Sequence, residues 1–467
     1  MKNFIYIIGC SAFLASCHVY SNYERPQEVT QNIDALYRDT IDTTATLKAD
    51  TTNFGNMPWQ EVFTDPQLQE LIQKALKNNA NIRNAEHAVE QAQIGLKVAR
   101  LAYYPSISLN PQATVSSWDF GKATQTYNVP IAANWQFNLF NLRNNKQQAK
   151  MNVEMTKAYE QAARTSIIAA VANMYYTLQM LDEQLKTTEA TVDIWAENVR
   201  AMELMKEGAM TTEAAVGQAK SNYLNLQTTI PTLKQNITQV ENSLCSLLHE
   251  HPHSISRGSF NADDFPAQYS VGIPVQLLAN RPDVHAAEMN LASAFYGVNI
   301  ARSAFYPTLT IGGQAGWTNK AGIIVNPGKI LASAFASLTQ PIFANGKLRA
   351  QLKLSKINYE DAQINFEQTL LNAGQEVSNA LSAYQTAKEH QVTRQQQVET
   401  LSNTLENTQM LFQYSTGTNY LAVLTAQQSL IQAQLNLISD KFDKVQAMIS
   451  LYQALGGGRE YNFDEKK

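Results

Sequence analysis

The clearest pattern in the chain is a run of alternating side chains. Tyr127, Val129, Ile131, Ala133, Trp135, Phe137 and Leu139 are apolar, and Asn128, Asn134, Gln136 and Asn138 stand between them. A period of two predicts a β-strand with one apolar and one polar face. Upstream, Ile107, Leu109, Ala113 and Val115 alternate with Ser106, Ser108, Asn110 and Thr114. Further on, Leu309, Ile311, Ala315 and Trp317 share one face. A fourth strand is expected around Ile330–Phe343, where Ala and Ser dominate and alternation is poor. It is assigned by symmetry with the first half.

The rest of the chain carries helical spacing. Pro66 to Arg100 places Leu68, Leu71, Ile72, Ala75 and Leu76 on one face, and Tyr104-Pro105 ends it. The residue before a proline is pushed out of the helical region. Pro274 to Arg302 repeats the arrangement and stops at Tyr306-Pro307. From Asn145 to Glu207 there is neither proline nor glycine, a stretch that reaches ~90 Å at ~1.5 Å per residue. Ile167, Val171, Met174, Leu178, Leu181 and Leu185 alternate steps of three and four, and Val192, Trp195, Val199 and Met202 continue the seam. Leu370, Ala373, Val377, Ala380, Tyr384 and Ala387 form a second seam. Such spacing predicts coiled helices. Near Gly208 and Gly417 the helices pause, then resume through Thr212–Leu248 and Thr418–Leu455. Gly followed by Thr reads as a helix stop and a new N-cap. Two antiparallel hairpins are therefore expected, with tips at 207–212 and 415–420.

The chain states this plan twice. Residues 99–109 read ARLAYYPSISL and residues 301–311 read ARSAFYPTLTI. Glu86 corresponds to Glu288, Asn138-Leu139-Phe140 to Pro341-Ile342-Phe343, and Gly208 to Gly417. The order is preserved, which predicts internal duplication into two similar units. The expected division is 1–17 signal, 18–57 extended strap, 58–250 first repeat, 251–273 linker, 274–458 second repeat and 459–467 tail.

The strands fit a soluble sandwich or a membrane barrel. Two features favour the barrel. The polar face carries uncharged amides and small residues, and Trp118, Phe120, Tyr127, Trp135 and Trp317 lie near strand ends. Four strands cannot close a barrel, and lipid tolerates no open sheet edge. Several copies must then share one barrel: two would supply eight strands, three would supply twelve.

Composition changes this picture little. Charged residues are 16% and the net charge is −4, so no basic footprint points to nucleic acid. The first residues matter more. MKNFIYIIGCSAFLASC has a Lys, an apolar stretch and small residues in the order of a secretory signal. Its Leu14-Ala15-Ser16-Cys17 resembles a lipobox, which makes Cys17 the expected site of acylation and membrane-lipid attachment. Ile7-Ile8-Gly9-Cys10 is a second match with too short an apolar core. Cys245 is then the remaining thiol, expected buried and inert.

Taken together, these residues carry a family. The chain resembles the TolC-like outer-membrane factors, in particular their acylated efflux-channel branch. The resemblance rests on Trp59-Gln60-Glu61-Val62-Phe63 with Asp65-Pro66, on Asn280-Arg281-Pro282-Asp283 within Leu278–Glu288, and on both Ala-Arg…Tyr-Pro segments. Tyr414-Ser415-Thr416-Gly417, Val423-Leu424-Thr425-Ala426-Gln427 and Leu451 through Gly458 extend it. It implies an α+β membrane protein: a trimer whose strands form a twelve-stranded barrel and whose helices form a periplasmic tunnel. It implies a periplasmic adaptor and an inner-membrane transporter of RND type as partners, and no cofactor. Adaptor docking falls on Gly208, Ala209, Met210 and Thr211 and on Gly417, Thr418, Asn419 and Tyr420. Some members close the tip with charged side chains, but Asn407 to Ser439 holds none. Leu411, Tyr414 and Tyr420 are the candidate gate instead.

Catalytic motifs are missing: there is no GxSxG, P-loop, GxGxxG or HExxH. His249-Glu250-His251-Pro252-His253 resembles a metal cluster but reads better as a solvated linker. Met202, Met205 and Met210 near a tip read as seam filling rather than a copper path. An efflux duct is the expected function. A duct for protein secretion and a non-conducting lipid-anchored coiled coil are the alternatives.

Overall fold

The computed structural model describes residues 21–26, 36, 54–117, 119–262, 265, 280–319, 329–414 and 420–459. The signal with Cys17, most of the strap and tail, residues 274–279, Trp118 and the tip residues Gly417, Thr418 and Asn419 lie outside them. The described elements run α1 (Trp59–Val62), α2 (Pro66–Asn78), α3 (Ala80–Leu101), β1 (Ser106–Leu109), β2 (Gln112–Ser116) and β3 (Thr124–Phe137). They continue with α4 (Leu139–Glu207), α5 (Glu213–Leu248), α6 (Pro282–Ser303), β4 (Thr308–Thr318), β5 (Lys329–Thr339), α7 (Lys347–Tyr414) and α8 (Tyr420–Ala454). Two compact units result: Met1–Glu28 with His87–Ala158 and Ala286–Gln368, and Val29–Glu86 with Tyr159–His285 and Thr369–Lys467. Each draws on both halves of the sequence duplication.

The first unit is built on an antiparallel sheet in the order β1-β3-β4-β5, with β2 also paired to β3. β1 and β2 are one strand in effect. Leu109 faces Ile131 and Gln112 faces Asn128, so the register is unchanged across the gap. The ladder is interrupted at Pro111 and Pro130, which lack the N–H that a ladder needs. The expected four strands are therefore present. Around the sheet, Asn138 donates through Nδ2 to the Ser303 carbonyl at 3.3 Å, and Phe140 stacks on Tyr306 at 5.1 Å. Arg25 grips Glu288 with two bonds of 2.7 Å, and Tyr23 packs edge-on against Phe295.

The second unit holds the larger core. Tyr175, Tyr176, Tyr452, Phe54, Phe63, Leu68, Ile72 and Leu178 are fully buried in it. The expected helix from Pro66 to Arg100 is divided at Asn79. Asn79 is extended (φ −60°, ψ 132°). Its Oδ1 accepts the Asn81 N–H at 2.8 Å, and its Nδ2 donates to the Leu247 carbonyl at 2.8 Å. The side chain thus caps the next helix, as Asn readily does. α4 begins at Leu139 rather than Asn145 because Asn138 caps it through Asn141 N–H. Both predicted seams are buried: Val171 and Leu178 on α4, Leu370, Ala373 and Val377 on α7.

The family-like motifs explain themselves as joints. Asp65 caps α2 through Gln67 N–H at 2.8 Å and accepts the buried Tyr175 hydroxyl at 2.5 Å. Burial and that carboxylate push the Tyr175 hydroxyl well above the usual tyrosine range. Arg281 bonds Asp283, Glu376 and the Ala454 carbonyl. Gly456 and Gly458 adopt φ of +78° and +76°, and a Cβ on Gly457 would lie 2.5 Å from the Tyr452 ring. Gln161 and Thr165 of α4 then bond the Gly458 and Gly457 carbonyls. The duplicated glutamates also find arginines, by different routes: Glu86 pairs with Arg164, Glu288 with Arg25.

Candidate functional site

Register decides what the sheet can do. On one face Ile107 and Leu109 adjoin Ala133 and Ile131, and Ile311, Ala315 and Trp317 adjoin Trp135, Ile131 and Val129. Ile330, Ala332, Ala334, Ala336 and Leu338 of β5 complete that face. The Ala-rich strand therefore alternates after all, with small residues in the apolar row. Ile107, Leu109, Val115, Ile131, Trp317, Ile330 and Leu338 are all exposed. The opposite face presents Ser106, Ser108, Gln112 and Thr114, then Asn128, Asn134 and Gln136, then Thr310 and Gln314, then Ser333 and Ser337. Lys329, at the end of β5, is the one charged residue in these strands. An uncovered apolar face and an uncharged polar face on the same strands suit lipid on one side and water on the other. Among the described residues no helix is long and apolar enough to cross a membrane.

The sheet is open. Among the described residues β1 with β2 forms one edge and β5 the other, and a sheet edge presents backbone groups without ladder partners.

The first hairpin tip differs from expectation in one respect. The left-handed residue is Ala209 (φ 55°), not Gly208. Ala209 N–H donates to the Lys206 carbonyl, and Met210 N–H to the Met205 carbonyl at 2.8 Å, a helix stop of the Schellman kind. Thr212 caps α5 through Ala215 N–H as expected. Lys206 and Glu213 form an ion pair across the turn. Met210 projects into solvent.

Beside that tip, Met202, Val216, Ala219 and Leu424 form a small core, with Val199, Met205, Ala215 and Tyr420 packed against it. Tyr420 also meets Phe412 edge-on at 5.3 Å. Burial pushes its hydroxyl up to about 12, and that oxygen has no partner among the described residues. The three candidate gate residues are thus separated: Tyr420 packs against the Met202 and Val216 cluster, while Leu411 and Tyr414 are exposed. Cys245 is buried, as its neighbours imply. Its sulfur lies 3.5 Å from His253 Nδ1, and among the described residues no cluster of three metal-binding side chains forms. Sequence reasoning missed the Asp65–Tyr175 and Arg257–Asp182–Glu241 contacts, whose members lie far apart along the chain.

An amphipathic sheet that cannot close alone, with paired coiled helices in the same chain, defines a subunit of a membrane channel. The sequence model of the outer membrane efflux protein family matches residues 71–249 and 273–457, and the chain belongs to that family. The cation efflux system protein CusC of Escherichia coli is 25% identical over 450 residues, covering 95% of this chain and 97% of that protein. The solvent efflux pump outer membrane protein SrpC of Pseudomonas putida is 27% identical over 417 residues, 85% of this chain and 87% of that protein. The solved outer-membrane channel OprN superposes with a TM-score of 0.84 at 22% identity, over 95% of this chain and 99% of that one. The protein is an outer-membrane channel of an efflux system, a passive exit duct that reaches into the periplasm. Its family is one of channels rather than enzymes.

Proposed function

We propose that three copies of this chain share one barrel and serve a tripartite pump that exports drugs or other toxic small molecules. The observation that carries this reading is the open four-stranded sheet with one apolar and one uncharged polar face. Four strands are below the roughly eight of the smallest membrane barrels, and edges in lipid must pair. Twelve strands from three copies satisfy both requirements and match the family resemblance. The sheet also disfavours a coiled coil that merely bridges the periplasm.

The tips Gly208–Thr211 and Gly417–Tyr420 are the adaptor's docking points, with an inner-membrane transporter of RND type beneath. Leu411 and Tyr414, being exposed, are the gate; Tyr420 packs against the Met202 and Val216 cluster. Cys17 carries the lipid anchor. The two repeats, 58–250 and 274–458, supply equivalent staves. The uncharged tip of the second hairpin makes an apolar closure the fitting one.

The test is accumulation of a fluorescent efflux substrate in cells lacking the chain. Wild type should lower accumulation, and Gly417→Pro should not, when both reach the outer membrane in equal amount. Accumulation unchanged by deletion across several dyes would remove small-molecule export.

A further inference from the structure

The polar face of the sheet has two intruders. Every other side chain on it in the β4–β5 pair is Thr, Gln, Ser, Gly or the terminal Lys329, yet β5 places Leu331 and Phe335 there. Both stand opposite glycines of β4: Leu331 faces Gly316 and Phe335 faces Gly312. Neighbouring strands lie ~4.8 Å apart, so a phenylalanine that touches the next strand's backbone must lie along the wall. That is what Phe335 does. Its Cζ and Cε1 stand 2.4 and 2.6 Å from where a Cβ of residue 312 would be, and Asn134 Oδ1 closes the same spot at 2.8 Å. The ring leans inward over β4 and β3, away from the open edge of β5. It is still 53% exposed. Covering a glycine is one service an aromatic gives a sheet. It does not account for the exposure the residue keeps, nor for the second apolar residue two steps along the same strand face, beyond Ser333.

We propose that Phe335, laid over Gly312 with Leu331 beyond Ser333 on the same face, is a cargo-contact site inside the barrel for aromatic or lipophilic cations. The inference rests on the duct reading above. A ring laid along the wall leaves the bore open, and an aromatic face attracts a desolvated cation and stacks with an aromatic one. The surrounding hydroxyls and amides contribute no competing charge. The site is a brief resting place rather than a tight pocket, as conduction requires binding weak enough to release.

The experiment uses the full-length protein in outer-membrane vesicles. Ser333→Cys lies beside Phe335 on the polar face, and Ala334→Cys lies on the other face. Both are treated with a membrane-impermeant methanethiosulfonate, with and without tetraphenylphosphonium. The native Cys245 is buried. Ser333→Cys should react much faster than Ala334→Cys. Saturating tetraphenylphosphonium should slow that reaction roughly threefold or more, and the protection should vanish when Phe335→Ser is added. Protection that is absent, or that survives Phe335→Ser, overturns the cargo site and leaves the duct intact. Equal reactivity at 333 and 334 overturns the assignment of faces, and with it both the shared-barrel reading and this inference.

Discussion

Replacing Asp65 by alanine tests how the Asp-Pro joint holds the second unit. Two losses are combined. The carboxylate caps α2 at 2.8 Å through Gln67 N–H, an interaction that contributes about 1 kcal/mol at typical N-caps. It also accepts the Tyr175 hydroxyl at 2.5 Å, and a hydrogen bond to a charged group contributes about 1.5–3 kcal/mol. Tyr175 is fully buried, so its hydroxyl cannot turn to water. As a donor it keeps only a long bond to Gln67 Oε1 at 3.4 Å, while it still accepts the Gly258 N–H at 3.3 Å. The expected cost is about 3 kcal/mol, less than full additivity because the two bonds share one carboxylate. With a guanidinium slope of roughly 2–6 kcal/mol per molar, the midpoint should fall by ~0.5–1.5 M. The assay is equilibrium denaturation in detergent, followed by circular dichroism at fixed protein concentration, since oligomer stability depends on it. Asp65→Asn should lose less, because an asparagine still caps. Tyr175→Phe combined with Asp65→Ala should cost clearly less than the two single losses added. A midpoint for Asp65→Ala within ~0.1 M of wild type, or strict additivity in the double variant, would refute the account.

Three further outcomes follow from the geometry. Ile131→Arg, on the apolar face, should cost about 2–4 kcal/mol of barrel stability and reduce heat-resistant assembly on gels, whereas Gln314→Arg on the polar face should assemble normally. Tyr420→Phe removes a hydroxyl with no partner among the described residues and should leave stability equal or higher; Met202→Ala in the same cluster should cost about 2–5 kcal/mol and shift the hydrogen exchange of both tips. Asp443 is held above the usual carboxylate range by burial first and by Asp440 second. A raised acid makes the folded state gain stability as pH falls toward that raised value. Asp443→Asn should therefore stabilise the protein at neutral pH, with a gain that shrinks on acidification, as read from denaturation midpoints at two pH values.

Long periodic segments were legible because one period dominated each. The seam through Val171 and Leu178 and the strand from Tyr127 to Phe137 were both read from spacing. Where two signals competed, sequence reasoning went astray. Asn79 sits in an unbroken helical pattern, and its capping bonds depend on Leu247 far along the chain. Ala332, Ala334 and Ala336 gave no contrast with Ser333 and Ser337 until Trp317 and Ile311 fixed their row. At the first tip the glycine drew attention, yet Ala209 takes the left-handed backbone, a choice set by the bonds to Met205 and Lys206. Tyr420 is a gate candidate because the second tip holds no charged side chain. Its environment comes from Met202 and Val216, on the other hairpin.

The two free edges of the sheet also fix the order of events in biogenesis. A solitary copy entering lipid would expose the backbone of β1 and β2 on one side and of β5 on the other, at several kcal/mol for each unsatisfied group. With the barrel shared as proposed, such a species should not accumulate. Insertion and association then become a single collective step, whose rate should climb more steeply than the first power of subunit concentration. Halving the supply of chains should slow the appearance of channels by much more than half, and the chains left waiting remain on the aqueous side, within reach of periplasmic proteases.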